Sequence, residues 1–172
     1  MSASAFLRAA PLLAATSSLT FTVCEDMFIR PLVTYQPGLR SHANRILPTH
    51  GKWLWGGLSI VFSMYPISIA TAAVNLATKD SAVDITGPET RQRVAAAFYL
   101  AGLVFSVLHF PFGKRAMYLL WTIRNDKNDD NNVKADNSAM MAAWLRVNAI
   151  RGLVADFPGW VCYLIAYVVG TI

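Results

Sequence analysis

Four long apolar stretches, punctuated by charge, dominate the order of residues. The cleanest runs from Trp53 to Thr78, 26 residues without a charge between Lys52 and Lys79. A second, Val94 to Gly113, lies between Arg93 and Lys114, and His109 is its one ionisable group. The first stretch runs from Ala9 to Ile29 and carries Glu25 and Asp26 just before Arg30 and Pro31. The last, Gly152 to Ile172, is interrupted only by Asp156. About 20 predominantly apolar residues cross a bilayer as a helix. The pattern therefore predicts an all-α, integral-membrane four-helix bundle, a single domain over residues 1–172 with spans near 9–29, 53–78, 94–113 and 152–172. The piece from Arg115 to Trp121 reads as an interfacial helix prolonging span three, its aromatics suited to the headgroup level.

Composition points the same way. The chain has 172 residues, 55% of them hydrophobic and only 15% charged, with a mean hydropathy of +0.39. Soluble domains carry roughly 25% charged residues, so a conventional soluble domain is disfavoured and a disordered chain is excluded. The net charge is +5. On a soluble chain that would suggest nucleic acid, but here the basic residues flank apolar runs, so no nucleic-acid partner is expected. Cys24 and Cys162 stand far apart in apolar segments and outline neither a disulfide framework nor a metal site. Arg8 and Pro11 break the first run, and Glu25 and Asp26 fall where a cleavage region is small and neutral. The first segment is therefore read as a span rather than a cleaved signal.

Basic residues then orient the bundle. Eleven Lys and Arg lie between spans one and two or between spans three and four; four lie at the N-terminus or between spans two and three. Loops one and three are expected to be cytoplasmic, in a multi-pass protein of the endoplasmic reticulum. The stretch from Asn125 to Asn132 is a solvated polar loop that lacks the Gly and the closing Glu of a calcium-binding EF-hand.

Orientation converts sequence position into depth. Glu25 and Asp26 lie about one turn inside Arg30, His109 lies five residues before Lys114, and Asp156 lies about 7–8 Å beyond Arg151 at 1.5 Å per residue. These groups share one slab, with His50 near the mouth of span two. Trp144, Asn148 and Arg151 form an i, i+4, i+7 stripe, as do Ser18, Thr22 and Glu25. Asp26 instead sits four residues before Arg30, the favourable order for a pair within one helix. Glu25 is thus the better candidate to face the bundle. In a regular helix Asp156 would stand about 140° around from Arg151; Pro158 removes a backbone hydrogen bond nearby and can alter that angle.

Carboxylates in different surroundings divide into acid and base near neutral pH. An Arg orients a carboxylate bidentately, and Asn or Trp N–H groups hold a water or a substrate oxygen. Such a set suits proton transfer on a lipophilic molecule. It does not suit a metal, since His50 and His109 have no i, i+4 partner. The blander reading is that helix ends in one leaflet are polar by nature, so that the cluster only marks an interface, His109 is a satisfied bundle residue and Arg151 a topological anchor.

Four short patterns add a resemblance. His50-Gly51-Lys52 opens span two, Pro111-Phe112 closes span three, Asn125 follows a short apolar piece, and Trp144-Leu145-Arg146-Val147-Asn148-Ala149-Ile150-Arg151 leads into span four. In this order they resemble the anthrone oxygenase-like family of small four-helix membrane proteins from fungal polyketide pathways. The resemblance implies a tailoring enzyme acting on lipophilic polyketides without a metal or flavin, the anthrone oxygenases using molecular oxygen. Two features depart from it: Cys24-Glu25-Asp26 in a first helix that is uncharged in the family, and Leu120-Trp121-Thr122-Ile123-Arg124-Asn125 where the family has a Met-Pro-Thr-Asn-like element. The added carboxylates are similar to the acid–base equipment of small cofactor-free epoxide hydrolases in fungal polyene-pyrone pathways.

The expected reaction is acid–base opening of a polyketide epoxide, without a cofactor. Glu25 or Asp26 and Asp156 would be base and acid, oriented by Arg151, with Asn148, Trp144 and His50 placing substrate or water. The alternative is anthrone-type oxygenation, in which His109 or a carboxylate deprotonates the substrate. A non-catalytic membrane scaffold subunit is the third reading.

Overall fold

The computed structural model describes residues 3–34, 37–49, 53–78, 82–126 and 136–171. Helices α1 (Ala3–Thr34), α2 (Pro37–Thr49), α3 (Trp53–Ala77), α4 (Thr90–Leu108), α5 (Phe110–Asn125), α6 (Asn137–Arg151) and α7 (Phe157–Thr171) follow in order. A five-residue π-helical turn, Gly152–Asp156, joins α6 to α7. His109 keeps helical angles between α4 and α5, so Thr90–Asn125 forms one rod, and Asn137–Thr171 forms another. Among the described residues, four helices are therefore long and apolar enough to cross a membrane. The predicted extension of span three is α5. Two features differ from expectation. Loop one contains α2, and the fourth rod starts at Asn137, well before residue 152.

Prolines inside these helices leave carbonyls to be satisfied from outside. A Pro within a helix cannot donate to the carbonyl four residues back. Pro11 frees Leu7 in this way, and Asn75 Nδ2 of α3 donates to the Leu7 carbonyl at 2.9 Å. Pro48 frees Asn44, whose carbonyl accepts from Asn137 Nδ2 of α6 at 3.1 Å. Ser138 N–H also donates to Asn44 Oδ1, at 2.6 Å, so α2 is tied to the start of α6. The buried asparagines are thus the complement of the prolines, since an unpaired buried carbonyl costs about 1–3 kcal/mol.

Packing divides the bundle into three layers. At one end Ala43 and Leu47 of α2, Leu54 of α3, Leu119 and Ile123 of α5, and Trp144 and Leu145 of α6 form an apolar cluster. At the other, Ala72, Val83, Ala95, Tyr99, Tyr163 and Ala166 form a second. Small residues let α4 and α7 approach closely there, as in helices that associate within lipid: a Cβ on Gly102 would stand 2.6 Å from Tyr163 Cε1. Between the two apolar layers lies a band of buried polar side chains: Ser18, Thr22, Ser68, Ser106, His109, Asn148, Arg151 and Asp156. The outer surface carries large apolar groups, among them Phe28, Phe62 and Leu153. At one end of α5 the Arg124 guanidinium lies between the rings of Trp55 and Trp121, 5.0 and 5.1 Å from their centroids. This cation–π sandwich suits an interfacial position.

Candidate active site

The polar band is organised by Asp156, and the π turn brings it into place. Five residues separate Asp156 from Arg151, which in a regular helix would leave them about 140° apart. Pro158 has no N–H for the Val154 carbonyl, and the Phe157 N–H donates instead to the Gly152 carbonyl, five residues back. A turn closed over five residues sets positions i and i+5 on one face. Such π insertions recur at functional sites. Arg151 Nε consequently donates to Asp156 Oδ2 across 3.1 Å, with both side chains buried.

Two further helices complete the cluster. His109, at the α4–α5 junction before Pro111, sets Nδ1 3.1 Å from Asp156 Oδ1. Arg151 Nη2 donates to Thr22 Oγ1 of α1 at 3.0 Å, and that hydroxyl also lies 3.5 Å from Asp156 Oδ2. The Asp156 carboxylate thus holds an imidazole and a guanidinium on its two oxygens, which orients both rings. With Nδ1 engaged, Nε2 is the His109 nitrogen left to exchange a proton. Tyr65 of α3 covers the imidazole, the ring centroids 3.6 Å apart. Its hydroxyl faces Asp156 and Ser18 but lies outside hydrogen-bonding geometry with either.

Glu25 stands across a small void from this cluster. Asn148 Nδ2 of α6 donates to Glu25 Oε2 at 3.3 Å. A cavity of about 110 Å³ is lined by Glu25, His109, Arg151 and Trp144 together with apolar residues of α3 and α5. Gly57 belongs to that wall; a Cβ there would meet Phe21 at 3.2 Å and Glu25 Oε1 at 3.6 Å. Of the two unequal carboxylates, Glu25 lines this space itself, while Asp156 stands behind His109 and Arg151, which line it. Asp156 is held by charged or chargeable partners, whereas Glu25 meets an amide and apolar walls.

The structure thus brings together His109, Arg151 and Asp156 in direct contact, with Glu25 and Trp144 on the cavity that His109 and Arg151 also line, and Asn148 behind Glu25 as its hydrogen-bond donor. Asp26 is elsewhere. Both its oxygens accept from Arg30, through Nε at 2.8 Å and through Nη2, in a half-exposed pair on the outer face of α1. It lines an external groove beside α6 rather than the cavity. His50 lies outside the described residues, as does most of the Asn125–Asn132 loop. Among the described residues no three His, Cys, Asp or Glu side chains converge as metal ligands. Sequence reasoning missed Tyr65 and Gly57. A tyrosine in the middle of an uncharged span was the available signal, because a buried phenol needs a polar neighbour.

Comparison with known proteins supplies the kinship. The chain is 31% identical over 163 residues to "Probable epoxidase scpX" of Mollisia scopiformis, covering 93% of this chain and 92% of the relative. It is 33% identical over 164 residues to "Epoxidase pydX" of Acremonium sp, covering 93% and 91%. It is 31% identical over 168 residues to "Epoxidase gkaX" of Penicillium citrinum, covering 94% and 92%. The chain belongs to the family of these relatives, which are named as epoxidases or a probable epoxidase. No protein-family profile matches it, and no solved structure matches it. The anthrone oxygenase-like resemblance rests on its short motifs alone. Because each match spans nearly the whole of both chains, it takes in α1 with Glu25, the α4–α5 junction with His109, and the π turn with Asp156.

Proposed function

We propose that this protein is a multi-pass membrane enzyme of fungal secondary metabolism that forms an epoxide on a lipophilic substrate. Three full-length relatives named epoxidases support the reaction class. The observation that carries the site is the Asp156–His109–Arg151 cluster facing Glu25 across an apolar cavity. Epoxidation by dioxygen adds one oxygen atom across a C=C bond and releases the other as water, which consumes two electrons and two protons. The two electrons come from a two-electron reductant, supplied in the assay below as a reduced nicotinamide; the residues of the cavity handle the protons. Asp156 fixes the imidazole so that His109 Nε2 exchanges a proton with substrate or bound oxygen species. Arg151 stabilises negative charge as it develops nearby. Glu25, placed by Asn148, accepts the proton of an acidic substrate group.

Acid–base opening of an epoxide is the second reading, favoured by the pair of carboxylates in unlike surroundings. There Glu25 would activate a water held by Asn148, and His109, backed by Asp156, would protonate the opening oxygen. One experiment separates the two. Membranes containing the protein, with a reduced nicotinamide, are incubated with lipophilic polyketide alkenes and with their epoxides, in heavy-oxygen water in one arm and under heavy dioxygen in the other. A new epoxide labelled from dioxygen is the expected product. A diol labelled from water moves the assignment to opening, and turnover of neither substrate removes the enzymatic reading. The four apolar helices support insertion in a bilayer, with loops one and three cytoplasmic and the endoplasmic reticulum as the site. Protease protection of tagged loops in sealed microsomes tests that topology.

A further inference from the structure

The cavity beside His109 is small beside the sites that hold drug-sized ligands. Sites for drug-sized ligands measure roughly 300–1,000 Å³, whereas the cavity holds about 110 Å³. It admits the reacting end of a substrate and little else. A second void lies against the same carboxylate. Between α1 and α2 a groove of about 520 Å³ is lined by Phe21, Cys24, Glu25, Phe28, Leu32 and Ile46, among others. Apart from Glu25 its walls are apolar or thiol, and Phe28 and Leu32 lie on the outer surface. Glu25 borders both spaces. Phe21 lines the groove and packs on Gly57, which lines the cavity. The partition between the two is therefore one aromatic ring and one carboxylate.

From this geometry we infer that the groove between α1 and α2 is a lateral portal. Through it an elongated apolar molecule, led by a proton-donating group such as a phenol or an enol, slides from the bilayer to Glu25. The apolar tail stays in the groove while the leading group meets the carboxylate, and the Phe21 ring turns aside on a helix face that Gly57 leaves open. The depth of the slab explains the direction of approach. An apolar tail in the part of the groove walled by Phe21, Cys24 and Phe28 of the first span stays among lipid chains and leaves no apolar surface to be wetted, with Leu32 and Ile46 at its cytoplasmic end. The portal rests on the proposed function for the identity of its ligand as substrate, but its test reads access alone.

The probe is dicyclohexylcarbodiimide, a lipophilic reagent for protonated carboxyl groups. The carboxyl oxygen bonds to the central carbodiimide carbon, the carboxyl proton passes to a nitrogen, and acyl transfer from oxygen to nitrogen leaves a stable N-acylurea with no leaving group. The full-length protein in lipid vesicles is treated through a falling pH series, so that the carboxyl carries the required proton in at least one arm. The adduct is located by mass spectrometry. Glu25 is expected to carry it, and Asp156, held by Arg151 and His109, is not. Cys24→Trp, which fills the groove from its wall, is expected to slow labelling several-fold, and Phe21→Ala to hasten it. A water-soluble cationic carbodiimide is expected to label Glu25 several-fold more slowly than the lipophilic one. Absence of the Glu25 adduct at every pH overturns the portal, as does labelling of Cys24→Trp at the wild-type rate or equal labelling by the two reagents. Turnover without labelling removes the portal and leaves the enzyme; labelling without turnover removes the reaction and leaves the portal.

Discussion

Replacing Asp156 by Asn tests whether the π turn exists to bring a carboxylate onto Arg151. The substitution conserves shape but removes the charge that Arg151 Nε meets at 3.1 Å and His109 Nδ1 at 3.1 Å. The Arg151 side chain is only 9% exposed and the Asp156 side chain 2%, so the orphaned guanidinium has little water to turn to. Removing one partner of a buried ion pair costs about 3–5 kcal/mol. Removing both costs far less, because no unpaired charge remains, and a well-packed apolar pair is often neutral. The prediction is therefore a double-mutant cycle. Asp156→Asn destabilises by about 3–5 kcal/mol, Arg151→Met destabilises as well, and the double variant regains much of the loss. Reversible unfolding in mixed micelles, followed by circular dichroism at several denaturant concentrations, supplies the free energies. A single variant as stable as wild type, or a double variant whose loss equals the sum of the two singles, refutes the reasoning. The first result would mean that water reaches Arg151; the second would mean that the two groups do not interact.

Four other predictions follow from particular contacts. Gly102→Ala drives a methyl to 2.6 Å from the buried Tyr163 ring; overpacking of this kind costs about 1–3 kcal/mol, whereas Gly56→Ala, with open space at its Cβ, leaves the thermal midpoint unchanged or raises it. His109→Phe keeps an aromatic ring against Tyr65 but cannot exchange a proton, so kcat in the labelled-oxygen assay falls by about 10²–10⁴. Asp26→Asn breaks only a half-exposed pair, changes stability by no more than about 0.5 kcal/mol and leaves turnover intact, while Glu25→Gln abolishes it. Asn137→Leu removes the buried amide that donates to the Asn44 carbonyl and to Asp126 Oδ2, a loss of about 1–3 kcal/mol measurable by the same unfolding experiment.

Much of this architecture is written in runs of residue types, and such features are legible without coordinates. A stretch such as Trp53 to Thr78 has one stable disposition in an apolar medium, a helix with every backbone group paired internally. The preference of Asp26 for Arg30 is equally local, a matter of four residues on one helix. That left Glu25 for the bundle, which is where its Asn148 contact puts it. The short polar helix α2 escaped the hydropathy pattern. It is too short to read as a span, and is held by the i, i+4 pair Ala43 and Leu47 in the apolar cluster and by Asn137 and Ser138 contacts from α6. The early start of α6 escaped too, because its apolar stripe faces α2 and α5 instead of filling a continuous run.

The sequence by itself determined the number of apolar rods and the slab in which Glu25, His109, Arg151 and Asp156 lie; it favoured Glu25 over Asp26 for the interior without deciding between them. Only the tertiary structure decided how those groups meet. Depth along an axis follows from counting residues at a fixed rise, but azimuth depends on the helix remaining regular. Pro158 and the five-residue turn before it remove that regularity. They carry Asp156 around to Arg151, and packing of the α4–α5 junction then delivers His109 to the carboxylate's other oxygen.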